Sequence, residues 1–168
     1  MKKTVLVLIL GVVLLAVFGT EAKAQIPKEG TNSFTMAYSS TFKALPMEQE
    51  RLQMTYEVMS VIIGDTPEDL NHNSSARCLG ALHAVKGEYT DDSGFCVVTR
   101  PDGDQSFVTY KAAGKLGGIA KGTYTVVGGT GKLAGIQGSG EFTRINVRPA
   151  AEGTLQGYSR NRGHYKLP

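Results

Sequence analysis

Hydrophobic and polar positions alternate with a period of two along most of this chain, and glycines, prolines and aspartates separate the alternating segments. Within residues 51–63, Leu52, Met54, Tyr56 and Val58 share one side of an extended strand. No window shows convincing helical periodicity, so the pattern predicts an all-β protein. The predicted strands span residues 34–43, 51–63, 77–86, 95–100, 106–112, 122–127, 140–147 and 153–160.

About eight short antiparallel strands with glycine-rich corners can close into a small barrel or split into a sandwich. We favour a single antiparallel closed β-barrel of about eight strands because closure leaves no unpaired edge strand. The β-sandwich is the alternative. The longest connection, residues 64–75, is the expected lid over one end.

The first residues have the order of a secretory signal. Lys2 and Lys3 precede an apolar run over residues 5–18, and Ala22 and Ala24 form a small-residue cleavage site. We therefore predict a cleaved signal peptide over residues 1–24, a polar leader over 25–33 and one β-barrel domain over 34–168. The product is expected to be secreted, periplasmic or extracellular in a bacterium, with no membrane span after cleavage.

The formal charge of the whole chain is +3, and three of its lysines and one glutamate lie within residues 1–24. Without that segment the charge is +1, which leaves no basic footprint for a nucleic-acid partner.

The two cysteines, Cys78 and Cys96, are expected to form a disulfide in an oxidising compartment. If they lie directly opposite each other in a hairpin, the turn is centred near Gly87. The better turn signal is the Asp-Asp-Ser-Gly sequence of residues 91–94. Either a bulge shifts the register, or the bridge joins strands that are not hairpin partners.

The segment 122–142 is rich in glycine. Thr123, Thr125 and Val127 alternate there with Tyr124 and Val126, and a tight turn over residues 128–131 is expected to follow. The structural turn glycines are Gly128, Gly129, Gly131, Gly135 and Gly138.

The run Val-Val-Gly-Gly-Thr-Gly-Lys-Leu-Ala-Gly of residues 126–135, followed by Gly138, resembles the glycine-rich hairpin of the allene oxide cyclase and dirigent superfamily. Asp-Gly-Asp at residues 102–104 resembles the bacterial branch, and the similarity spans roughly residues 77–147. The resemblance implies an eight-stranded barrel, and barrels of this superfamily often associate, so a homo-oligomer is a possible assembly. In plants it implies cyclisation of an unsaturated fatty-acid epoxide or stereochemical guidance of phenoxy-radical coupling, inside an apolar cavity.

Several chemical motifs are incomplete. Gly129-x-Gly131-x-x-Ala134 has the letters of a dinucleotide fingerprint but no helix can follow it. Asp102 and Asp104 supply too few oxygens for a calcium site, and the three histidines are scattered. No Gly-x-Ser-x-Gly elbow is present. We expect no cofactor and no metal.

A raised-pKa carboxyl inside an apolar barrel is the remaining route to catalysis, and Glu57 and Glu141 are the catalytic candidates if they point inward. His83 shares a strand face with Leu79, Ala81 and Val85 and could be a polar group of a pocket. The candidate ligand-binding residues are Tyr56, His83, Tyr110 and Tyr124.

Small residues in the predicted strands leave room inside the barrel; they are Gly80, Ala81, Ala84, Ala112 and Ala113. We therefore predict binding of a small apolar ligand without covalent catalysis. One alternative is a cavity-steered cyclase, isomerase or dirigent-type enzyme. Another is a solid barrel that interacts through residues 64–75 or through a basic C-terminal tail of Arg160, Arg162 and Lys166.

Overall fold

A computed structural model describes residues 26–168, and most of this range is β-strand. The predicted signal peptide, residues 1–24, lies outside the described residues. The strands are β1 (Glu29–Met47), β2 (Arg51–Gly64), β3 (Ser74–Val85), β4 (Glu88–Thr99), β5 (Gln105–Lys115), β6 (Ile119–Gly129), β7 (Gln137–Val147) and β8 (Thr154–Lys166). The only helical segment in this range is a single 3-10 turn at Gly131–Leu133, so no helix of the described residues could cross a membrane.

The eight strands form one closed antiparallel barrel in which each strand pairs with its neighbours in sequence and β1 closes the sheet against β8. This confirms the predicted barrel. We call the end that carries the connections 65–73, 100–104 and 130–136 the loop end. The opposite end, with the connections 48–50, 86–87, 116–118 and 148–153, is the hairpin end.

The barrel wall extends almost to both ends of the described range, residues 26–168. β1 begins at Glu29, within the predicted leader, and β8 continues to Lys166, through the residues predicted to form a basic tail. Glu29 lies opposite Lys166 in the closing pair. The alternation of apolar and polar residues predicted strands that are too short at both places, because the outward positions there are polar. The main-chain hydrogen-bond partners of these residues come from the pairing of β1 with β8, which a local pattern does not reveal.

The disulfide is present, and it explains the conflicting turn signals. Cys78 lies directly opposite Cys96 in the β3–β4 hairpin, and the turn is at residues 86–87. A bulge between Ala81 and Val85 absorbs the shift in register. Of the two alternatives, the structure confirms the bulge, and residues 91–94, the better turn signal in the sequence, lie within β4.

Removal of the disulfide should lower stability without changing the fold. The bridge spans a sequence separation of 18, for which loop-closure estimates give about 3 kcal/mol. We expect the Cys78→Ala, Cys96→Ala double variant to have a free energy of unfolding lower by about that amount in urea titration. An unchanged urea midpoint would contradict this expectation.

The glycine-rich connection between β6 and β7 is longer than the tight turn that the sequence predicts. Gly128 and Gly129 end β6, and residues 130–136 then form the 3-10 turn, with Leu133 buried against the core. Gly131 has a φ of +53°, and the Asp104 carboxylate lies against it and accepts a hydrogen bond from the Lys132 N–H at 3.0 Å. The turn therefore requires glycine at this position.

Inside the barrel, aromatic rings lie across glycines of neighbouring strands. Gly80 and Gly94 are directly opposite each other in β3 and β4, and the Tyr110 side chain covers both. Phe142 covers Gly122 in the same way, and Tyr124 covers Gly140. The glycines make room for rings in a barrel of only eight strands, whose interior is otherwise just wide enough for side chains.

Candidate functional site

The barrel interior holds a cavity of about 130 Å³ that is partly open toward residues 115–117 at the hairpin end. Its wall is mainly apolar, and residues from all eight strands contribute to it. Phe34, Ile62, Ala76 and Val98 form a buried apolar cluster in the loop-end half. Both cysteines of the disulfide also line the cavity, so the bridge is part of its wall.

A polar cluster lies in the hairpin-end half of this cavity. The Tyr56 hydroxyl donates to the Asp92 carboxylate, and the Tyr56 and Tyr110 hydroxyls are hydrogen-bonded at 2.7 Å. The Arg144 guanidinium donates to the other Asp92 oxygen at 2.7 Å. We call these four residues the Asp92 cluster. Its residues come from four strands, β2, β4, β5 and β7.

A bulge in β4 places Asp92 inside the barrel. Register with β5 shifts between Tyr89 and Asp92, and the two intervening residues, Thr90 and Asp91, are both exposed. Without this extra residue the alternation from Tyr89 would turn Asp91 inward instead of Asp92. The result is a carboxylate with 0% exposure in direct contact with the Arg144 guanidinium.

The Arg144 guanidinium contacts the Asp92 carboxylate and lies near two aromatic rings. Its guanidinium lies 5.9 Å from the Tyr110 ring centroid and 5.6 Å from that of Phe142. Burial by itself lowers the pKa of Arg144, but Asp92, together with Tyr56 and Tyr89, more than offsets this and raises it. The arginine therefore stays charged, and its side chain keeps 20% exposure toward the cavity.

Two further tyrosines surround this cluster. The Tyr38 hydroxyl donates to Asn146 Oδ1 at 2.7 Å, and the Asn146 amide donates to the Gly118 carbonyl at the hairpin end. Burial is the largest cause of the raised pKa of Tyr89, and Arg144 acts against it. The cavity therefore has a hydrogen-bonding surface at this end, within an otherwise apolar wall.

The loop-end half of the cavity carries neutral polar groups. Ser106, Ser159 and Asn161 are buried there, and the Asn161 amide donates to the Ser159 hydroxyl at 3.0 Å. Leu70 and Asn71, from the connection between β2 and β3, also line the cavity. That connection closes the loop end, as expected of a lid.

Three contacts hold the closing connection in place. Asp69 accepts a hydrogen bond from the Ser33 N–H at 3.1 Å, and Asp65 accepts one from the Ser33 hydroxyl. The Arg100 guanidinium donates to the Leu70 carbonyl at 2.9 Å. The connection is thus attached to β1 and to the end of β4.

The structure brings three of the four predicted ligand-binding residues to the cavity. Tyr56, Tyr110 and Tyr124 are buried and line it, and Tyr124 donates to Asn32 at 3.2 Å. His83 does not reach it. The prediction correctly grouped His83 with Leu79, Ala81 and Val85 on one face of β3. That face is the outer one, because the buried residues on either side of His83 are Leu82 and Ala84.

Neither catalytic candidate points into the cavity. Glu57 forms an ion pair with Arg77 at 2.5 Å on the outer surface, and Glu141 is exposed on β7. Strand alternation explains both positions. Tyr56 is buried, so the next residue, Glu57, faces out, and Phe142 is buried, so the residue before it, Glu141, faces out.

Only some of the small residues that were predicted to leave room inside the barrel face its interior. Ala84 and Ala112 are buried on the inner face, whereas Ala113 is exposed and Ala81 lies on the outer face of β3. Gly80 faces inward, but its space is occupied by the Tyr56 and Tyr110 rings.

Sequence reasoning missed Arg144 as a residue of the cavity wall and Asp92 as its buried partner. Asp92 was hidden in an apparent turn signal. The sequence did contain a signal for Arg144, since it lies two residues from both Phe142 and Asn146 and therefore shares the inner face of β7 with them. A charged residue on an otherwise apolar face needs a partner of opposite charge on a facing strand.

The buried tyrosines predict alkaline unfolding. Burial raises the pKa values of Tyr38, Tyr110 and Tyr124 to about 12, and it also raises that of Tyr56. Because the folded-state pKa exceeds the unfolded value of 10.0, the stabilising contribution is complete below pH 10 and is lost as the pH rises toward 12. We expect the free energy of unfolding to fall steeply in this window.

Tyrosinate absorbance and circular dichroism, recorded on the same samples, check this expectation. Ionisation of these four tyrosines should coincide with loss of β-structure. Titration of all tyrosines near pH 10, with the barrel intact, would show that the hydroxyls are not buried.

A scan of the sequence against protein-family models finds no match, and a search of the curated proteins finds no related chain.

Proposed function

We propose that this protein binds one small, largely apolar molecule inside the barrel. The observation that carries the proposal is the interior cavity of about 130 Å³, whose apolar wall is interrupted by a few fixed polar groups. A cavity of about 150 Å³ is large enough to bind benzene. The expected ligand is therefore about the size of a single small ring.

The polar groups give this ligand an orientation. The Asp92 cluster satisfies most of its own hydrogen bonds, and the exposed part of Arg144 remains able to donate. A ligand with one acceptor oxygen is expected to place it toward Arg144, with its apolar body toward Phe34 and Ile62.

The proposed location of this activity is outside the cytoplasm. The Cys78–Cys96 bridge supports an oxidising compartment, and the order of residues in 1–24 supports export. A binding protein of the bacterial periplasm or exterior fits both features.

The binding proposal predicts that filling the cavity abolishes ligand uptake. We choose benzene and phenol as probes, since each is a single ring, and follow their binding by chemical-shift changes in the protein. Val108 lines the cavity and is partly buried, so Val108→Phe should weaken binding of both probes by at least about tenfold, because the ring takes the probe's place.

Val147→Phe is the matched control, because Val147 is exposed on the outside of β7. It should bind both probes as the natural protein does. Equal probe binding by the natural protein and the Val108→Phe variant, or none by either, would contradict a ligand-binding interior. Native mass spectrometry of protein purified from its own host would then identify a retained molecule.

A second candidate function is cavity-steered isomerisation or radical coupling, in a member of the allene oxide cyclase and dirigent superfamily. The Asp92 cluster favours the isomerase version, because the Tyr56 and Tyr110 hydroxyls line the cavity and are linked by hydrogen bonds to the buried Asp92 carboxylate, an arrangement that can pass a proton to or from a bound ligand. Phenoxy radicals generated from a methoxyphenol test the radical-coupling version of this candidate. An excess of one product enantiomer that Val108→Phe abolishes and Val147→Phe retains would support it, and racemic product from the natural protein would contradict it.

A further inference from the structure

The outer surface of the barrel carries a groove of about 760 Å³, which we call the outer groove and which the interior cavity does not explain. Its lining residues lie in two adjacent rows of register partners, so the groove crosses the strands. One row runs from Gln156 in β8 to Val97 in β4, and the other runs from Ala37 in β1 to Gln105 in β5. With a spacing of about 4.8 Å between strands, the six strands make the outer groove roughly 24 Å long.

The outer groove offers a ligand side chains rather than a strand edge. The barrel is closed, and every strand that the groove crosses pairs with a neighbour on both sides. An extended peptide therefore has no edge to which it could add as a further strand. A ligand of this groove must be recognised through side chains.

Two amide side chains are held in place at opposite ends of the outer groove. Gln156 Oε1 accepts a hydrogen bond from the Ala150 N–H at 2.8 Å, which leaves the Gln156 amide nitrogen as a donor. At the β5 end, Gln105 Nε2 donates to the Thr99 hydroxyl at 3.3 Å, which leaves the Gln105 amide oxygen as an acceptor. Each amide is thus oriented by one contact and can form a further hydrogen bond with a ligand.

The lining of the outer groove is uncharged overall. Within the described range, Arg77 is the one charged residue that lines it, and Glu57 neutralises this charge by contacting Arg77 Nε at 2.5 Å. The terminal nitrogens of Arg77 remain as donors, and the hydroxyls of Ser39 and Ser75 lie in the same two rows. The groove therefore favours an uncharged ligand with many hydroxyl groups over a strongly acidic or basic one.

Exposed apolar side chains lie among these polar groups. Met59 and Val61 are 58% and 56% exposed and line the groove. Beside its β5 end, Phe107 is the register partner of Val97 and stacks on Phe95, with ring centroids 6.4 Å apart. Sugar rings present hydroxyls at their edges and apolar C–H groups on their faces, so this mixture of side chains matches a row of sugar units.

We propose that the outer groove binds a neutral linear glycan, independently of the ligand in the barrel interior. The sugar hydroxyls form hydrogen bonds with Gln156, Arg77 and Gln105, and the ring faces pack on Met59 and Val61. A length of roughly 24 Å accommodates several sugar units in a row. The groove lies on the outer surface, so a long polymer can enter it from the side.

Titration of the protein with neutral hexasaccharides tests this proposal. We choose cellohexaose, xylohexaose, maltohexaose and chitohexaose as probes and follow amide chemical shifts. At least one probe should shift the resonances of residues that line the outer groove. Its dissociation constant should not change with added salt, because neither the probe nor the groove carries a net charge. The Val108→Phe variant, whose interior is filled, should bind that probe as the natural protein does.

Two substitutions with matched controls locate the binding site. Arg77→Gln should weaken binding by about tenfold, because a hydrogen bond from a charged donor is lost. Arg51→Gln, at an exposed position of the hairpin end of β2, should leave binding unchanged. Val61→Trp should weaken binding by at least about tenfold, because the indole fills the groove. Val85→Trp, at an exposed position of the hairpin end of β3, is its control.

Circular dichroism of each variant checks that the barrel is retained. Absence of binding for every probe, binding that added salt abolishes, or an equal loss of affinity in a groove variant and its control would overturn the proposal. Benzene and phenol report on the interior and the hexasaccharides on the outer groove, so failure of one proposal is distinguishable from failure of the other.

Discussion

Replacement of Gly94 by alanine should unfold a large fraction of the protein under conditions in which the natural chain is fully folded. A β-carbon at this position would collide with the Leu79 carbonyl oxygen and with the Tyr110 ring, whose Cζ would lie 2.6 Å away. The Leu79 oxygen belongs to the neighbouring strand and cannot move without breaking the β3–β4 pair. We expect a loss of about 3 kcal/mol in the free energy of unfolding.

Urea unfolding monitored by circular dichroism measures this loss. Gly118→Ala is the matched control. The only close contact for a β-carbon there, at 3.3 Å, is the exposed Lys115 side chain, and the position has no positive φ. Its stability should change by less than about 0.5 kcal/mol. Equal stabilities for the two variants would mean that Tyr110 is not packed over β3 and β4.

Asp92→Asn should be the most destabilising change of a polar side chain. The variant leaves the Arg144 charge in the barrel without its carboxylate partner, and Asp92 has 0% exposure. Breaking a buried ion pair by removing one partner costs about 3–5 kcal/mol. The free energy of unfolding from urea titration at neutral pH should fall by an amount in this range.

The exposed ion pair of Glu57 with Arg77 supplies the control. Glu57→Gln should cost less than about 1 kcal/mol, because solvent screens a pair whose side chains are 38% and 65% exposed. The double variant Asp92→Asn, Arg144→Gln should recover part of the loss, because no uncompensated charge remains. A double variant as unstable as the sum of the two single variants would argue against a direct pair.

The alternation of apolar and polar residues predicted β2 correctly but missed the first part of β4 and its bulge. In β2 the alternation of Met54 and Tyr56 with polar residues runs unbroken, and the structure follows it. In β4 an apparent turn sequence lies inside the strand, where a bulge turns Asp92 inward. A bulge depends on pairing with the neighbouring strand, so the residues of one strand do not reveal it.

The candidate site depended even more on distant parts of the chain. Tyr56 and Tyr110 were predicted from their residue type and strand position, and both line the cavity. Glu57 was predicted because it is acidic, but its neighbour Tyr56 faces the interior of the barrel, so Glu57 faces outward. The inward carboxylate, Asp92, meets its arginine 52 residues further along the chain, and only closure of the barrel brings the two together.

The sequence by itself determined the all-β class, most strand positions and the pairing of Cys78 with Cys96, because alternation, turn residues and cysteine count are local or countable properties. The tertiary structure alone decided which faces enclose the cavity, how aromatic rings lie over Gly80 and Gly94, and that Asp92 and Arg144 form a pair. These features arise from contacts between strands far apart in sequence, where a shift of one residue exchanges inside and outside.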